Sequence, residues 1–251
     1  MSKISIGVQM FTLREEAEND FAGTLRKVAE LGYDGVEFAG YGGLSVQEVR
    51  ALLDELGLKA AASHVPLEQL EERLDQVIEE QKVLGSKYVV CPFLTDDRRT
   101  EESYRRLIPL LDQVGKSCKD AGITFCYHNH DFELEVLSDG RKALEVIFDD
   151  TSASNVKTEL DVYWLTKVGE NPVDWIKRYQ GRTPLVHLKD MTTDDENFFA
   201  ELGTGGVDLD GVIETAMHAG AEWFIVEQDV SRLTPLKSIE ISINYLKEKL
   251  S

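Results

Sequence analysis

Two histidines one residue apart, His128 and His130, interrupt the run F-C-Y-H-N-H-D-F-E (125–133) in a chain that has only five histidines among 251 residues. Imidazole titrates near neutrality and is a common metal ligand, so the pair concentrates base and donor capacity at one point. The run is apolar up to Tyr127 and ends in acids, including Glu133. Other β-rich runs end the same way. Asp161 closes VKTELD (156–161), His187 sits near the end of PLVHLK (184–189), and Glu227 near the end of WFIVEQ (223–228). Glu133, Asp161, His187 and Glu227 form a hard, oxygen-rich donor set if neighbouring elements bring them together. Such a set suits Mn²⁺ or Mg²⁺, with Co²⁺ or Zn²⁺ also compatible. Three carboxylates crowded without a cation would raise one another's pKa values.

The elements that must position these residues follow a regular rhythm. Eight short β-rich runs are expected at 4–9, 34–38, 58–64, 87–93, 123–128, 156–161, 184–189 and 223–228. Between them lie segments with helical apolar spacing at 20–32, 46–57, 67–85, 104–122, 141–150, 171–181, 209–220 and 234–250. Phe21, Leu25, Val28 and Leu31 mark the apolar face of the first. Glycines 32, 57, 85, 122, 181 and 220 close six of these helices, where a left-handed residue commonly ends the last turn. Strand–helix alternation implies parallel pairing through crossovers. Eight such units without a composition shift imply one (β/α)₈ TIM barrel over residues 1–251, in preference to an open doubly wound sheet.

In that architecture chemistry gathers at the carboxyl ends of the strands. The runs end at Gln9, Glu37, His64, Pro92, His128, Asp161, His187 and Glu227, and seven of these eight are polar. Four of the five histidines lie at or just past a strand end; His218 falls inside a helix, where a surface or a satisfied core histidine is expected.

The formal net charge of −19 repels phosphate backbones and anionic membranes, so no nucleic-acid partner and no membrane association are expected. Most of the acids are read as solvated helix faces. Cys91, Cys118 and Cys126 are odd in number and widely spaced, which fits reduced thiols in the cytoplasm. The opening MSKISIGVQMF lacks the apolar core of a leader peptide, in line with that expectation.

Taken with their spacing, H-N-H-D-F-E (128–133), E-L-D-V-Y-W (159–164), V-H-L-K-D (186–190) and E-Q-D (227–229) resemble the sugar phosphate isomerase/epimerase family of xylose-isomerase-like barrels. S-H-V-P-L (63–67) and G-x-G-x-x-D (203–208) also resemble family segments, and the likeness spans essentially the whole chain. The resemblance implies a divalent ion held by Asp161, His187, Glu227 and an acid from the fifth unit. Glu133 is the nearest acid there, with His128 or His130 as alternatives for that ligand position.

The implied substrate is a small sugar or cyclitol bearing a carbonyl and an adjacent hydroxyl, and the implied chemistry passes through an enediolate. His128 and His130 are candidate bases, with Glu227 as an alternative. Lys189, on the same strand face as His187, could steady the developing oxyanion. Glu37, His64 and Trp164 are candidate substrate contacts. G-T-G-G (203–206) is either a phosphate grip or a tight turn, and Arg98 and Arg99 are read as surface charge. Isomerisation or epimerisation is the leading expectation. Dehydration of an inosose or cleavage of a 3-keto-glycoside is the alternative, and a non-catalytic sugar-binding barrel is the reading from another class. A homo-oligomer is left open.

Overall fold

Each of the eight β-rich runs forms a strand, and the strands close on themselves. The barrel comprises β1 (Ser5–Gln9), β2 (Gly35–Phe38), β3 (Lys59–His64), β4 (Tyr88–Cys91), β5 (Thr124–His128), β6 (Val156–Asp161), β7 (Leu185–Leu188) and β10 (Trp223–Val226). Their order around the wall is β1-β10-β7-β6-β5-β4-β3-β2, and every neighbouring pair is parallel. Two further strands, β8 (Asp190–Met191) and β9 (Phe199–Ala200), make a small antiparallel hairpin in the loop after β7. The computed structural model describes residues 4–251. The first three residues of the expected domain, and of the opening run read for a leader, lie outside the described residues.

Helices ring the barrel: α1 (Arg14–Leu31), α2 (Val46–Leu56), α3 (Leu67–Glu72), α4 (Leu74–Leu84), α5 (Glu101–Asp120), α6 (Ala143–Asp149), α7 (Val162–Lys167), α8 (Pro172–Arg178), α9 (Leu209–Ala219) and α10 (Pro235–Lys249). None of them, among the described residues, is long and apolar enough to cross a membrane.

Three departures from the sequence pattern have local causes. The segment 67–85 breaks at Arg73, whose φ of −141° and ψ of 36° separate α3 from α4. The first helix begins at Arg14 and kinks at Asp20, where the Asp20 carboxylate accepts the Gly23 N–H and restarts the helix as a cap would. An unexpected helix, α7, follows β6 at once. Asp161 Oδ1 accepts the backbone N–H of Tyr163 and Trp164 at 2.9 and 3.2 Å, so the residue that ends the strand also starts the helix.

Two cores hold these layers. The larger lies between barrel and helices; a smaller one plugs the barrel interior with Ala61, Tyr88, Val90, Cys126, Leu185 and Ile225. Side chains alternate along a strand, so residues two positions beyond the plug face the same interior. Those residues are polar: His128 follows Cys126, His187 follows Leu185, and Glu227 follows Ile225. The barrel interior is therefore apolar below and charged above.

Candidate metal centre and active site

Strand register sets the upper layer. Asp161 lies opposite His187 across β6 and β7, and His128 lies opposite Glu159 across β5 and β6. Glu227 follows Val226, which lies opposite Leu188. The donor atoms of His128, Asp161, His187 and Glu227 consequently all lie within 4.8 Å of one another, and all four residues are buried. His187 Nδ1 is 2.8 Å from Glu227 Oε2, and His128 Nε2 is 3.8 Å from Asp161 Oδ2.

Glu133 does not join them. Its Oε1 accepts from the Tyr127 hydroxyl and its Oε2 from the His130 backbone N–H, both at 2.8 Å. The carboxylate is spent on fixing the loop after β5, and His128 stands in the place expected for the first acid. Burial lifts Glu133 to about 7 against the pull of these two hydrogen bonds.

Beneath the four donors lies a second polar tier. Glu159 Oε2 is 2.8 Å from His64 Nε2, 3.0 Å from His128 Nδ1 and 3.3 Å from His187 Nε2. Glu37 Oε2 is 2.6 Å from His187 Nε2 and 3.1 Å from His64 Nε2, and it accepts from Gln9 Nε2 at 2.8 Å. His128 and His187 thus each turn one ring nitrogen down to a carboxylate and the other up to the donor cluster. That arrangement fixes tautomer and ring orientation in metal-binding histidines. Glu37, fully buried behind His187, orients that ring instead of facing the cavity. His64 does reach the cavity, and Trp164 stacks obliquely on His130 with centroids 5.3 Å apart.

Charges follow this layering. Burial lowers the proton affinity of His64, but Glu37 and Glu159 outweigh it and lift the ring to about 10. His187 is also raised over the cost of burial, by Glu159 and Glu37. Burial raises Glu159, and the neighbouring Glu37 charge adds to the rise. Burial would raise Glu37 too, but His64 and His187 hold it well below the ordinary range. His128 and His130 go the other way. Burial and then the neighbouring charges hold His128 neutral, and burial with the Lys189 charge brings His130 to about 3.

Lys189, 1% exposed, points its ammonium at Glu227 Oε2 (2.8 Å), Asp161 Oδ2 (3.0 Å) and Asp229 Oδ1 (3.0 Å). Burial disfavours its charge, but the three acids raise it well above the ordinary lysine value. The same ammonium, with His187, outweighs burial at Glu227 and keeps that acid ionised. Burial dominates at Asp161, which rises to about 6. Asp161 Oδ2 receives no directed hydrogen bond despite its nearness to Lys189.

The donor set fits a divalent ion. Asp161 Oδ2 is a buried oxygen without a hydrogen-bond partner, and the upper nitrogens of two pre-oriented imidazoles converge on it and on Glu227. Two imidazoles and two carboxylates are softer than the expected single imidazole and three acids, and both sets are compatible with a divalent ion.

Glu159 and Asp229 were not singled out by sequence, and Gln9 only as a polar strand end. Parity could have found the first two, since Glu159 lies two residues before Asp161 and Asp229 two after Glu227. G-T-G-G proves to be a turn. The N–H groups of Gly203, Gly205 and Val207 all donate to the Asp190 carboxylate at 2.9–3.0 Å, so none is left for a phosphate. A Cβ on Gly205 would collide with the Met191 carbonyl oxygen, which explains glycine there. His218 is exposed on α9, with Nδ1 2.7 Å from the Glu214 carbonyl oxygen. Arg98 pairs with Glu71 at the surface, whereas Arg99 lies over two phenylalanine rings.

A cavity of about 520 Å³ opens above the donors and is lined by His64, His128, His130, Glu227 and Asp229 among others. A second, of about 630 Å³, lies at the opposite mouth around Trp223 and contains none of the clustered groups.

Comparison with known proteins agrees with this architecture. Residues 25–249 match the family model described as xylose isomerase-like TIM barrel. An inosose dehydratase of Clostridium botulinum (strain Alaska E43 / Type E3) is 23% identical over 93% of this chain and 91% of its own length. A crystal structure of a sugar phosphate isomerase/epimerase from Parabacteroides distasonis ATCC 8503 superposes with a TM-score of 0.84 at 23% identity, covering 97% of both chains. The IolI protein with a bound zinc atom superposes with a TM-score of 0.76 at 17% identity, covering 99% of this chain and 98% of its own. The chain belongs to the xylose isomerase-like TIM barrel family.

Proposed function

We propose that this barrel is a divalent-metal-dependent enzyme that abstracts a proton beside the carbonyl of a keto-sugar or cyclitol and returns it elsewhere, as an isomerase or epimerase. The observation that carries this reading is the convergence of His128, Asp161, His187 and Glu227 at the floor of an open cavity. These four residues would hold the ion. When bound, it supplies Lewis-acid polarisation of the carbonyl and stabilises negative charge on the enediolate oxygen.

The chain's own groups do the rest. His130 lines the cavity, is neutral, and has a buried Nδ1 without a partner. It is the base. Negative charge developing on the substrate offsets Lys189, the charge that, after burial, most lowers the proton affinity of His130, so the ring gains basicity as the proton moves. Lys189 steadies the oxyanion. His64 donates to a substrate hydroxyl, and Trp164 backs the base.

A second reading is β-elimination from the same carbanion, giving a dehydratase or lyase. Relatives named inosose dehydratase, which align over 93% of this chain, favour it. Three buried, unpaired cysteines support a reducing, cytoplasmic setting.

Manganese-loaded protein incubated with ketoses and inososes in D₂O tests the proposal. Deuterium at the carbon beside the carbonyl supports isomerase or epimerase chemistry, and loss of water supports the lyase. Sugar binding with neither leaves a non-catalytic barrel. Alanine at Asp161 or Glu227 should abolish stoichiometric metal; metal retained in both variants refutes the site.

A further inference from the structure

The cavity is larger than one pyranose ring. Besides the imidazoles and acids of the site its lining includes the charged Arg73 and Glu80, and Phe11, from the turn after β1, and Phe93, from the loop after β4. These rings are 43% and 45% exposed. Each is pinned from one side by a guanidinium. Arg14 lies 4.4 Å over Phe11 and bonds the Phe11 carbonyl oxygen, while Arg99 lies 4.6 Å over Phe93 and bonds the Leu94 carbonyl oxygen. The aromatic lining is also continuous with the base, since Phe93 meets the His130 ring edge-on at 5.2 Å.

We propose that Phe11 and Phe93 form a subsite for an apolar, planar group carried by the substrate, so that the enzyme takes a keto-sugar glycoside with an aromatic aglycone. A cavity of about 520 Å³ falls in the range that holds a drug-sized, two-ring ligand. The inference rests on the elimination reading above. In a 3-keto-glycoside the base takes the C2 proton, that bond's electron pair becomes the C1–C2 double bond, and the C1–O bond breaks. The aglycone oxygen leaves with its electron pair and collects a proton, so no oxidant or reductant is needed.

The test uses manganese-loaded protein with methyl and phenyl 3-keto-β-D-glucopyranoside, which differ only in aglycone. Initial rates should give a KM for the phenyl compound at least tenfold below that for the methyl compound. Phe11→Ala with Phe93→Ala should bring the two within a factor of three. Equal KM values in the unaltered protein, or a preference that survives the double variant, overturn the subsite alone. Deuterium exchange into free ketoses with neither glycoside consumed also removes the subsite and leaves the proton-abstraction reading standing. No exchange and no consumption removes both.

Discussion

The ammonium of Lys189 lies 2.8 Å from Glu227 Oε2, on an oxygen that a bound dication would also claim. A dication held by Asp161 and Glu227 would compete with the contacts that the lysine makes to both. Lys189→Met should tighten Mn²⁺ binding by about tenfold, equivalent to about 1.4 kcal/mol, while lowering turnover sharply. Isothermal titration with Mn²⁺ decides it, and unchanged or weaker binding would show that the lysine does not compete.

Glu159 touches no cavity, yet three imidazoles converge on its Oε2. Glu159→Gln should keep the fold and weaken metal affinity by about 10–100-fold, the usual cost of losing a group that orients metal-binding histidines. Affinity equal to that of the unaltered protein would mean His128 and His187 hold their poses without it.

Glu133 gives a pH signature separate from the donor cluster. Its folded-state value of about 7 exceeds the roughly 4.3 of free glutamate. The folded chain therefore binds that proton more tightly, and the associated stability is complete below about pH 4.3 and lost as pH rises through about 7. Between pH 5 and 8 the melting temperature of the unaltered protein should fall relative to Glu133→Gln, by about 2–4 °C for each kcal/mol lost. Parallel curves would show that Glu133 does not titrate in this window.

Asp190 organises the loop after the β8–β9 hairpin by accepting three backbone N–H groups. Asp190→Ala leaves the buried Val207 N–H and the part-buried Gly203 and Gly205 N–H groups without that acceptor, and urea denaturation should report a loss of about 3 kcal/mol. A loss under about 0.5 kcal/mol, the range of an indifferent surface change, would mean that the loop keeps its shape by other means.

The sequence carried the architecture because each strand run was short, apolar and closed by a turn signal. Asp161, His187 and Glu227 stood out as a group because each broke an apolar run at the same relative place, and the fold brings their donor atoms within 4.8 Å of one another. For the first ligand the sequence offered Glu133 with His128 or His130 as alternatives, since proximity along the chain cannot reveal that Tyr127 and the His130 N–H already engage both Glu133 oxygens. It failed on Glu37, whose strand-end position is real but whose side chain faces inward to His187. The split at Arg73 and the helix started by Asp161 depend on local dihedral angles and on a side chain acting twice, which apolar periodicity does not record.

The two-storey barrel interior separates folding from selectivity. Val90, Cys126, Leu185 and Ile225 make a foundation that lines neither cavity, whereas Phe11 and Phe93 stand on turns at the rim. Exchanging rim residues disturbs little buried packing, so new preferences could be installed there by engineering while the reactive floor and the foundation stay as they are.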